Sequence, residues 1–307
     1  MKTCRSLAEI DRRKPVVLAA GFFDGVHRGH RALLRRSLSV AENTGGVAWA
    51  MTFDPHPLKL LAPSAAPAML TGLPRKLQLL DKLGMPGCVV LPFTAELADC
   101  EPEAFIADLS RQVPRLTAVC AGPNWTFGRA GRGNPELLAE LARHYGFRAL
   151  VVRPTCWHGA AISSTRIRHA LAAGQLSDVR HMLGRPFSVV GRVVRGNGIG
   201  RRLGTPTANI ATEDEALPPP GVYSVTIRLG TRQHLGVANL GLRPTLGAVA
   251  TSPLLEIHIL DFNSRIYNRS MEIVFRRRVR DEKCFGSLDL LREQIMRDIR
   301  SVRQRPG

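Results

Sequence analysis

Residues 15–30 read PVVLAAGFFDGVHRGH, and the fold of the first half of the chain turns on them. Pro15–Gly21 is an unbroken apolar run of strand length. A glycine-rich loop follows, and then His30–Asn43, where Leu33, Leu34, Leu38 and Val40 keep helical spacing. A buried strand passing through such a loop into a helix opens a parallel α/β sheet, and such sheets take ligands at the carboxyl ends of their strands. Gly21, Gly25 and Gly29 let the backbone run close to a ligand, with Phe23 and Asp24 between them. The helix start offers free N–H groups and a positive dipole end to phosphate. His27 and His30 form H-x-G-H, and their N–H donors can neutralise charge developing on phosphate oxygens, as attack on the α-phosphate of ATP requires. A single histidine on this loop reads as structural; the pair at this spacing favours nucleotidyl transfer.

The same texture continues outward. Val47–Phe53, Gly87–Leu91, Leu116–Ala121 and Ala149–Val152 read as strands, and Arg75–Leu83, Pro102–Gln112 and Glu136–Tyr145 as helices between them. Continuous apolar strands with helical crossovers predict a sheet covered on both faces. TFDPHP (52–57) follows the second main strand, so it comes up beside the first loop, or is simply a Pro-terminated turn. GPNWTFG (122–128) places Asn124, Trp125 and Phe127 at the same edge: Asn124 can bond a sugar or base, and the two rings can pack on a flat ligand or line a turn. ISSTRIR (162–168) opens a helix over Ser163–Ala173. Ser163, Ser164 and Thr165 are capping candidates, while Arg166 and Arg168 supply planar donors to phosphate.

Past about Gly184 the texture changes. Val189–Arg195, Gly221–Arg228, Leu235–Leu240, Leu255–Leu260 and Met271–Phe275 alternate or are β-branched, with Gly, Pro and Asn between them, as in a small antiparallel barrel. Ser287–Val302 closes the chain as an amphipathic helix. GNGIGRRLGTPTANI (196–210) lacks the GK[ST] ending of a phosphate loop. Thr207 and Asn209 are nevertheless hard oxygen donors on what reads as a tight turn, suited to Mg²⁺ carrying a nucleotide. Glu256 alternates with His258 in the apolar strand LLEIHIL; both buried would be costly, so at least one faces a cleft. A carboxylate there can accept the proton of an attacking hydroxyl, and a solvated edge-strand Glu is the plainer reading.

The 307 residues suit two domains, expected at 1–183 and 184–307. No apolar run approaches the roughly 20 residues that span a bilayer, and MKTCRSLAEIDRRKP lacks the apolar core of a secretory signal, so a cytoplasmic protein without a membrane partner is expected. Forty-three basic against 25 acidic side chains give a formal charge of +18. The excess splits evenly, +9 over 1–182 and +9 over 183–307, and only six of the cations are lysines. Such a balance fits nucleic acid or anionic small molecules, and an Arg- and Ala-rich chain also follows from coding bias alone. Without a basic tail or a single dense face, no specific nucleic-acid partner is expected. Six cysteines at 4, 88, 100, 120, 156 and 284 show no CxxC pairing or zinc spacing, and read as buried thiols rather than disulfides.

Together the motifs resemble those of the bacterial bifunctional riboflavin kinase/FMN adenylyltransferases, the prokaryotic FAD synthetases. The likeness runs from about Pro15 to Ile299 in the family's order: GFFDGVHRGH, TFDPHP, GPNWTFG and SSTRIR, then GRRLGTPTAN, PPGVY (219–223), NLGLRPT (239–245), LEIHILDF (255–262) and RDEKCF (280–285). The resemblance implies a Rossmann-like nucleotidylyltransferase domain, in which FMN attacks the α-phosphate of ATP to give FAD and pyrophosphate. It also implies a riboflavin kinase barrel with a closing helix. By motif, His27 and His30 would stabilise the adenylyl-transfer transition state, and Gly21, Phe23, Asp24, Gly25, Gly29, Ser163, Ser164, Thr165, Arg166 and Arg168 would surround the nucleotide. Asn124 would place the nucleotide or the flavin, with Trp125 and Phe127 on the flavin side. In the barrel, Gly200, Gly204 and Pro206 would line the nucleotide, Thr207 and Asn209 would hold Mg²⁺ with ATP, Glu256 would take the proton of the ribityl hydroxyl, and Arg280 would lie near the flavin. ATP, Mg²⁺, riboflavin and FMN are the implied small molecules, and a homo-oligomer is left open. Phe22, Asn124, Thr205 and Asn268 depart from the usual pattern, and 247–253 (GAVATSP) carries no signature.

Overall fold

The computed structural model describes residues 1–10, 13–196, 200, 204–212, 215–244 and 251–306. Residues 197–199 and 201–203 of the glycine-rich run, Thr245 of NLGLRPT and 247–250 of GAVATSP lie outside the described residues. The chain divides into two units, Met1–Ser164 and Thr165–Gly307.

In the first unit the apolar runs become strands β1 (Lys2–Cys4), β2 (Val16–Ala20), β3 (Val47–Asp54), β4 (Gly87–Pro92), β5 (Leu116–Ala121) and β6 (Arg148–Val151). They form one sheet in the order β1-β4-β3-β2-β5-β6, parallel at every pairing. The crossovers carry α1 (Arg28–Asn43), α2 (Pro57–Leu61), α3 (Leu73–Lys82), α4 (Ala95–Asp99), α5 (Pro102–Gln112) and α6 (Pro135–Tyr145). Strand periodicity sends Val17 and Ala19 to the face covered by Leu34 of α1 and Leu80 of α3. Val16, Leu18 and Ala20 meet Ile106 and Leu109 of α5 and Leu138 of α6 on the other face. Both α5 and α6 start on proline, whose missing N–H costs nothing there, and the Asn134 side chain caps α6 by accepting from Leu137 N at 2.9 Å. Strands β2, β3 and β4 step one way and β5 and β6 the other, so the strand order reverses between β2 and β5. Ligands enter such sheets there.

The second unit holds most of α7 (Ser164–Ala172), then α8 (Leu176–Leu183), six strands and α9 (Leu288–Gln304). The strands, numbered on past the two-residue pairs β7 (Cys156–Trp157) and β8 (Ala160–Ala161), are β9 (Ser188–Val194), β10 (Ala208–Thr212), β11 (Gly221–Leu229), β12 (Arg232–Pro244), β13 (Thr251–Ile259) and β14 (Ser270–Arg280). They close into an antiparallel barrel in the order β10-β13-β12-β11-β14-β9. Along β13, Leu255, Ile257 and Ile259 are buried while Leu254, Glu256 and His258 are half-buried. Helix α9 seats Ile295, Ile299 and Val302 on Val222, Val237 and Leu260 outside the barrel wall.

The expected α/β-then-barrel architecture forms, with specific corrections. Asn209 lies inside strand β10, not on a tight turn; ANIAT has too few apolar residues to announce a strand. Strand β1 and helices α2, α4 and α8 are too short to show a period. Cys4, Cys88 and Cys120 are buried thiols, but Cys156 and Cys284 are exposed. Asn268 stands at φ 62°, a left-handed position that asparagine tolerates in place of glycine.

Candidate functional site

The loop after β2 folds around its own side chains. His27 caps α1, its Nδ1 accepting the His30 N–H at 3.3 Å, and the two imidazoles stack with centroids 3.6 Å apart. Gly29 leaves room for this pair: a Cβ there would lie a tight 3.1 Å from the His27 ring. Nδ1 of His30 has no hydrogen-bond partner among the described residues. Burial first, then the charges of His27 and Lys76, hold His30 well below the ordinary imidazole range, so it is neutral near pH 7.

Phe23 and Asp24, expected beside the nucleotide, are buried beneath the loop. The Asp24 carboxylate accepts from Leu70 N at 3.1 Å and Thr71 N at 3.0 Å, while Gly25 N donates to Thr71 Oγ1 at 3.0 Å. These bonds stitch the loop to the approach of α3. From that helix comes a residue that sequence reasoning missed. Lys76, 2% exposed, sets its Nζ 3.9 Å from the centroid of Phe22 and 3.4 Å from Thr52 Oγ1. Burial pushes its ammonium down to about 8. Its place was encoded: Lys76 shares the buried stripe of α3 with Leu79 and Leu80.

The neighbouring loops close on this centre. Thr52 donates to the Phe22 carbonyl at 2.9 Å and His56 meets the Phe22 ring edge-on at 4.3 Å, so TFDPHP does adjoin the first loop. Ser164 donates to the Asp24 carbonyl at 3.0 Å and so tethers the start of α7 to the first loop. In the loop after β5, Asn124 is exposed and Trp125 is half-buried. Trp125 stacks on Phe127 at 4.7 Å, and Phe127 is itself a core residue packed against Phe105. Ser163 belongs to this unit, whereas Thr165, Arg166 and Arg168 follow the division after Ser164.

The barrel builds its site by register. Asn209 pairs with Glu256, Glu256 with Asn239, Asn239 with Val222, and Val222 with Arg280. One lateral row thus crosses five strands, each step about 4.8 Å. All five residues line a cavity of about 330 Å³ between the barrel wall and α9, along with Thr207 and Gly200. Both Glu256 and His258 face it, and His258 Nδ1 is 2.9 Å from the Pro206 carbonyl. Thr207 also lines a second cavity of about 370 Å³, with Pro206, Phe262 and Tyr267. Gly204 turns the chain at φ 77° just before.

Arg280 is held side-on by Asp298 of α9, Nε lying 3.1 Å from both carboxylate oxygens and Nη2 2.8 Å from Oδ2. Gln294 donates to the same carboxylate at 2.9 Å. Asn239 and Asp298 were missed from sequence, although Asp298 sits seven residues after Leu291 on the packed face of α9. Among the described residues no three His, Cys, Asp or Glu side chains gather as metal ligands. Thr207, just before β10, and Asn209 within it instead offer neutral oxygens on the wall of one cavity, a donor set that fits a hard cation brought in by phosphates.

The FAD synthetase family model matches residues 9–166, and the riboflavin kinase family model matches residues 183–305. The Escherichia coli (strain K12) bifunctional riboflavin kinase/FMN adenylyltransferase is 37% identical over 99% of this chain and 97% of its own. The Haemophilus influenzae protein of that name is 34% identical over 93% and 92%. A Streptococcus pneumoniae crystal structure described as a macrolide-efflux protein superposes with a TM-score of 0.86 at 28% identity, covering 98% of each chain. In this chain no described helix is long and apolar enough to cross a membrane.

Proposed function

The chain belongs to the family of bifunctional riboflavin kinase/FMN adenylyltransferases, and from that premise we propose how its residues divide the work. The enzyme phosphorylates riboflavin to FMN and adenylylates FMN to FAD, each at the expense of ATP. We assign adenylyl transfer to residues 1–183 and phosphorylation to 184–307.

In the kinase half, Glu256 takes the proton of the ribityl 5′-hydroxyl as that oxygen bonds to the γ-phosphorus and the bond to the ADP oxygen breaks. The observation that carries this assignment is the row Asn209–Glu256–Asn239–Val222–Arg280 on the wall of one cavity. Its apolar wall, with Val222, Val237, Leu254 and Ile295, suits a flavin ring, and Arg280, fixed by Asp298, directs the polar end. The cavity with Phe262 and Tyr267 suits the nucleoside of ATP, and Thr207, lining both, stands where the phosphates meet the hydroxyl. Thr207 and Asn209 would hold Mg²⁺, which when bound offsets charge on the phosphates.

In the transferase half, a phosphate oxygen of FMN attacks the α-phosphorus of ATP and pyrophosphate leaves. His27 and His30, stacked at the start of α1, the latter neutral, donate to the phosphate oxygens with the free N–H groups of the helix. Ser163, Thr165, Arg166 and Arg168 bind the triphosphate. Asn124 and Trp125 meet the flavin, with Phe127 backing Trp125. We place the enzyme in the cytoplasm, where exposed Cys156 and Cys284 stay reduced. Its partners in this reading are its substrates, with no nucleic acid or membrane. Incubation with riboflavin, ATP and Mg²⁺, with the flavins separated by chromatography, tests both halves: FMN and then FAD should accumulate. Riboflavin left unchanged while supplied FMN becomes FAD would remove the kinase assignment.

A further inference from the structure

We propose that Lys76 is a positioning residue for adenylyl transfer, its buried ammonium holding Phe22 in the phosphate loop and placing a fixed positive charge beside His30. The inference rests on the transferase reading above and adds to it a residue that no motif contains.

The ammonium is buried among groups that do not neutralise it by contact. Its nearest partners are the Phe22 ring at 3.9 Å and the Thr52 hydroxyl at 3.4 Å, and Lys76 makes no ion pair within 4.0 Å among the described residues. A buried cation without a contacting carboxylate is costly, and structures retain one where its charge is used. Its surroundings connect it to the loop twice. Thr52, which accepts from Lys76, donates to the Phe22 carbonyl, and the Phe22 ring lies under the ammonium as a cation–π partner. The ionisable groups facing Lys76 are Asp24 on the loop, Asp54 on β3 and Cys88 on β4, all favouring its charged form against burial. Those facing His30 are His27 and Lys76, and both favour its neutral form. One charge therefore fixes the loop edge, adds to the burial that keeps His30 neutral, and adds positive potential where anionic substrates gather.

The test follows from the sign of the titration. With its ammonium titrating near 8, Lys76 loses its charge as pH rises through that value. For FAD formation from supplied FMN, kcat/KM of the wild type should fall above about pH 8, because that ratio reports the free enzyme. K76M should lower it about tenfold at pH 7, the scale of one charge acting across several ångströms at an effective dielectric constant near 20. Its profile should then be level from pH 7 to 9.5. K76R, charged throughout, should restore activity at pH 9 above that of K76M. Riboflavin phosphorylation by the same preparations should be unchanged, which controls for folding and concentration. A wild-type profile level to pH 9.5 overturns the proposal without any variant, as does a K76M enzyme with the wild-type rate or the wild-type alkaline fall. Wild-type protein that makes no FAD at all would instead remove the transferase reading itself.

Discussion

The two sites are assembled in opposite ways. The glycine-rich loop of the first unit draws its imidazoles from four consecutive residues, His27 to His30, and is tied down by short-range bonds: Asp24, Thr52, Thr71 and Ser164 all bond within the loop and its neighbours. The barrel site draws Asn209, Glu256, Asn239 and Arg280 from strands up to 71 positions apart and aligns them by register alone. A local site is rigid because its chain is knotted together by short-range bonds. A register site is rigid because the barrel is closed and cannot slip. Damage should therefore spread differently: within the loop when a loop bond is cut, and along the wall and α9 when the barrel row is disturbed.

The largest effects come from separating the chemistries. Glu256→Ala should lower riboflavin phosphorylation by about 10²–10⁴, the usual contribution of a general base, while supplied FMN still becomes FAD. His30→Ala should lower FAD formation by roughly 10²–10³, as loss of a transition-state donor does, and leave FMN formation intact. Rates of both reactions on each folded variant decide the matter; either substitution silencing both reactions would break the division of labour.

Next is the clamp between barrel and helix. Asp298 is buried and carries Arg280 in three contacts. Asp298→Ala strands a largely buried guanidinium and should cost about 3 kcal/mol of unfolding free energy. It should also raise KM for riboflavin more than KM for ATP, and leave FAD formation from FMN unchanged below the melting transition. An equal rise in both KM values would mean that Arg280 serves the nucleotide instead of the flavin.

The same contrast explains what was legible in the sequence. HxGH could be read because loop geometry, helix start and chemistry lie within ten residues, and the strand–loop–helix order fixed their setting. Glu256 could be read only as a cleft-facing carboxylate or a solvated edge residue, and Arg280 only through family motifs, since pairing register is a property of the closed barrel. Asn239 was passed over because an amide inside a strand carries no signal until its cross-strand neighbour is known. The sequence placed Asp24 and Phe23 beside the nucleotide but could not show that they are buried and that Asp24 bonds to the approach of α3, because motif membership does not reveal how a loop is packed. Lys76 and Asp298 were hidden by a habit of placing charge on the wet face of a helix, although each keeps the spacing of the buried stripe.

The finest discrimination is one substitution made twice. Thr52 and Thr205 are both buried threonines beside their sites. In the loop, the Thr52 hydroxyl donates to the Phe22 carbonyl and accepts from Lys76. In the barrel, Thr205 lines the cavity between wall and α9, and its Oγ1 has no partner among the described residues. Valine keeps the shape and removes only the hydroxyl. Thr52→Val takes the donor from the Phe22 carbonyl and the acceptor from the buried Lys76 ammonium and should cost about 1–3 kcal/mol, whereas Thr205→Val removes an unpaired group and should be neutral or stabilising by about 1 kcal/mol. Denaturant midpoints with unchanged m-values would report both. A loss at Thr205 equal to that at Thr52 would mean that the barrel, like the loop, depends on its buried hydroxyl, and the distinction between the two modes of assembly would fall.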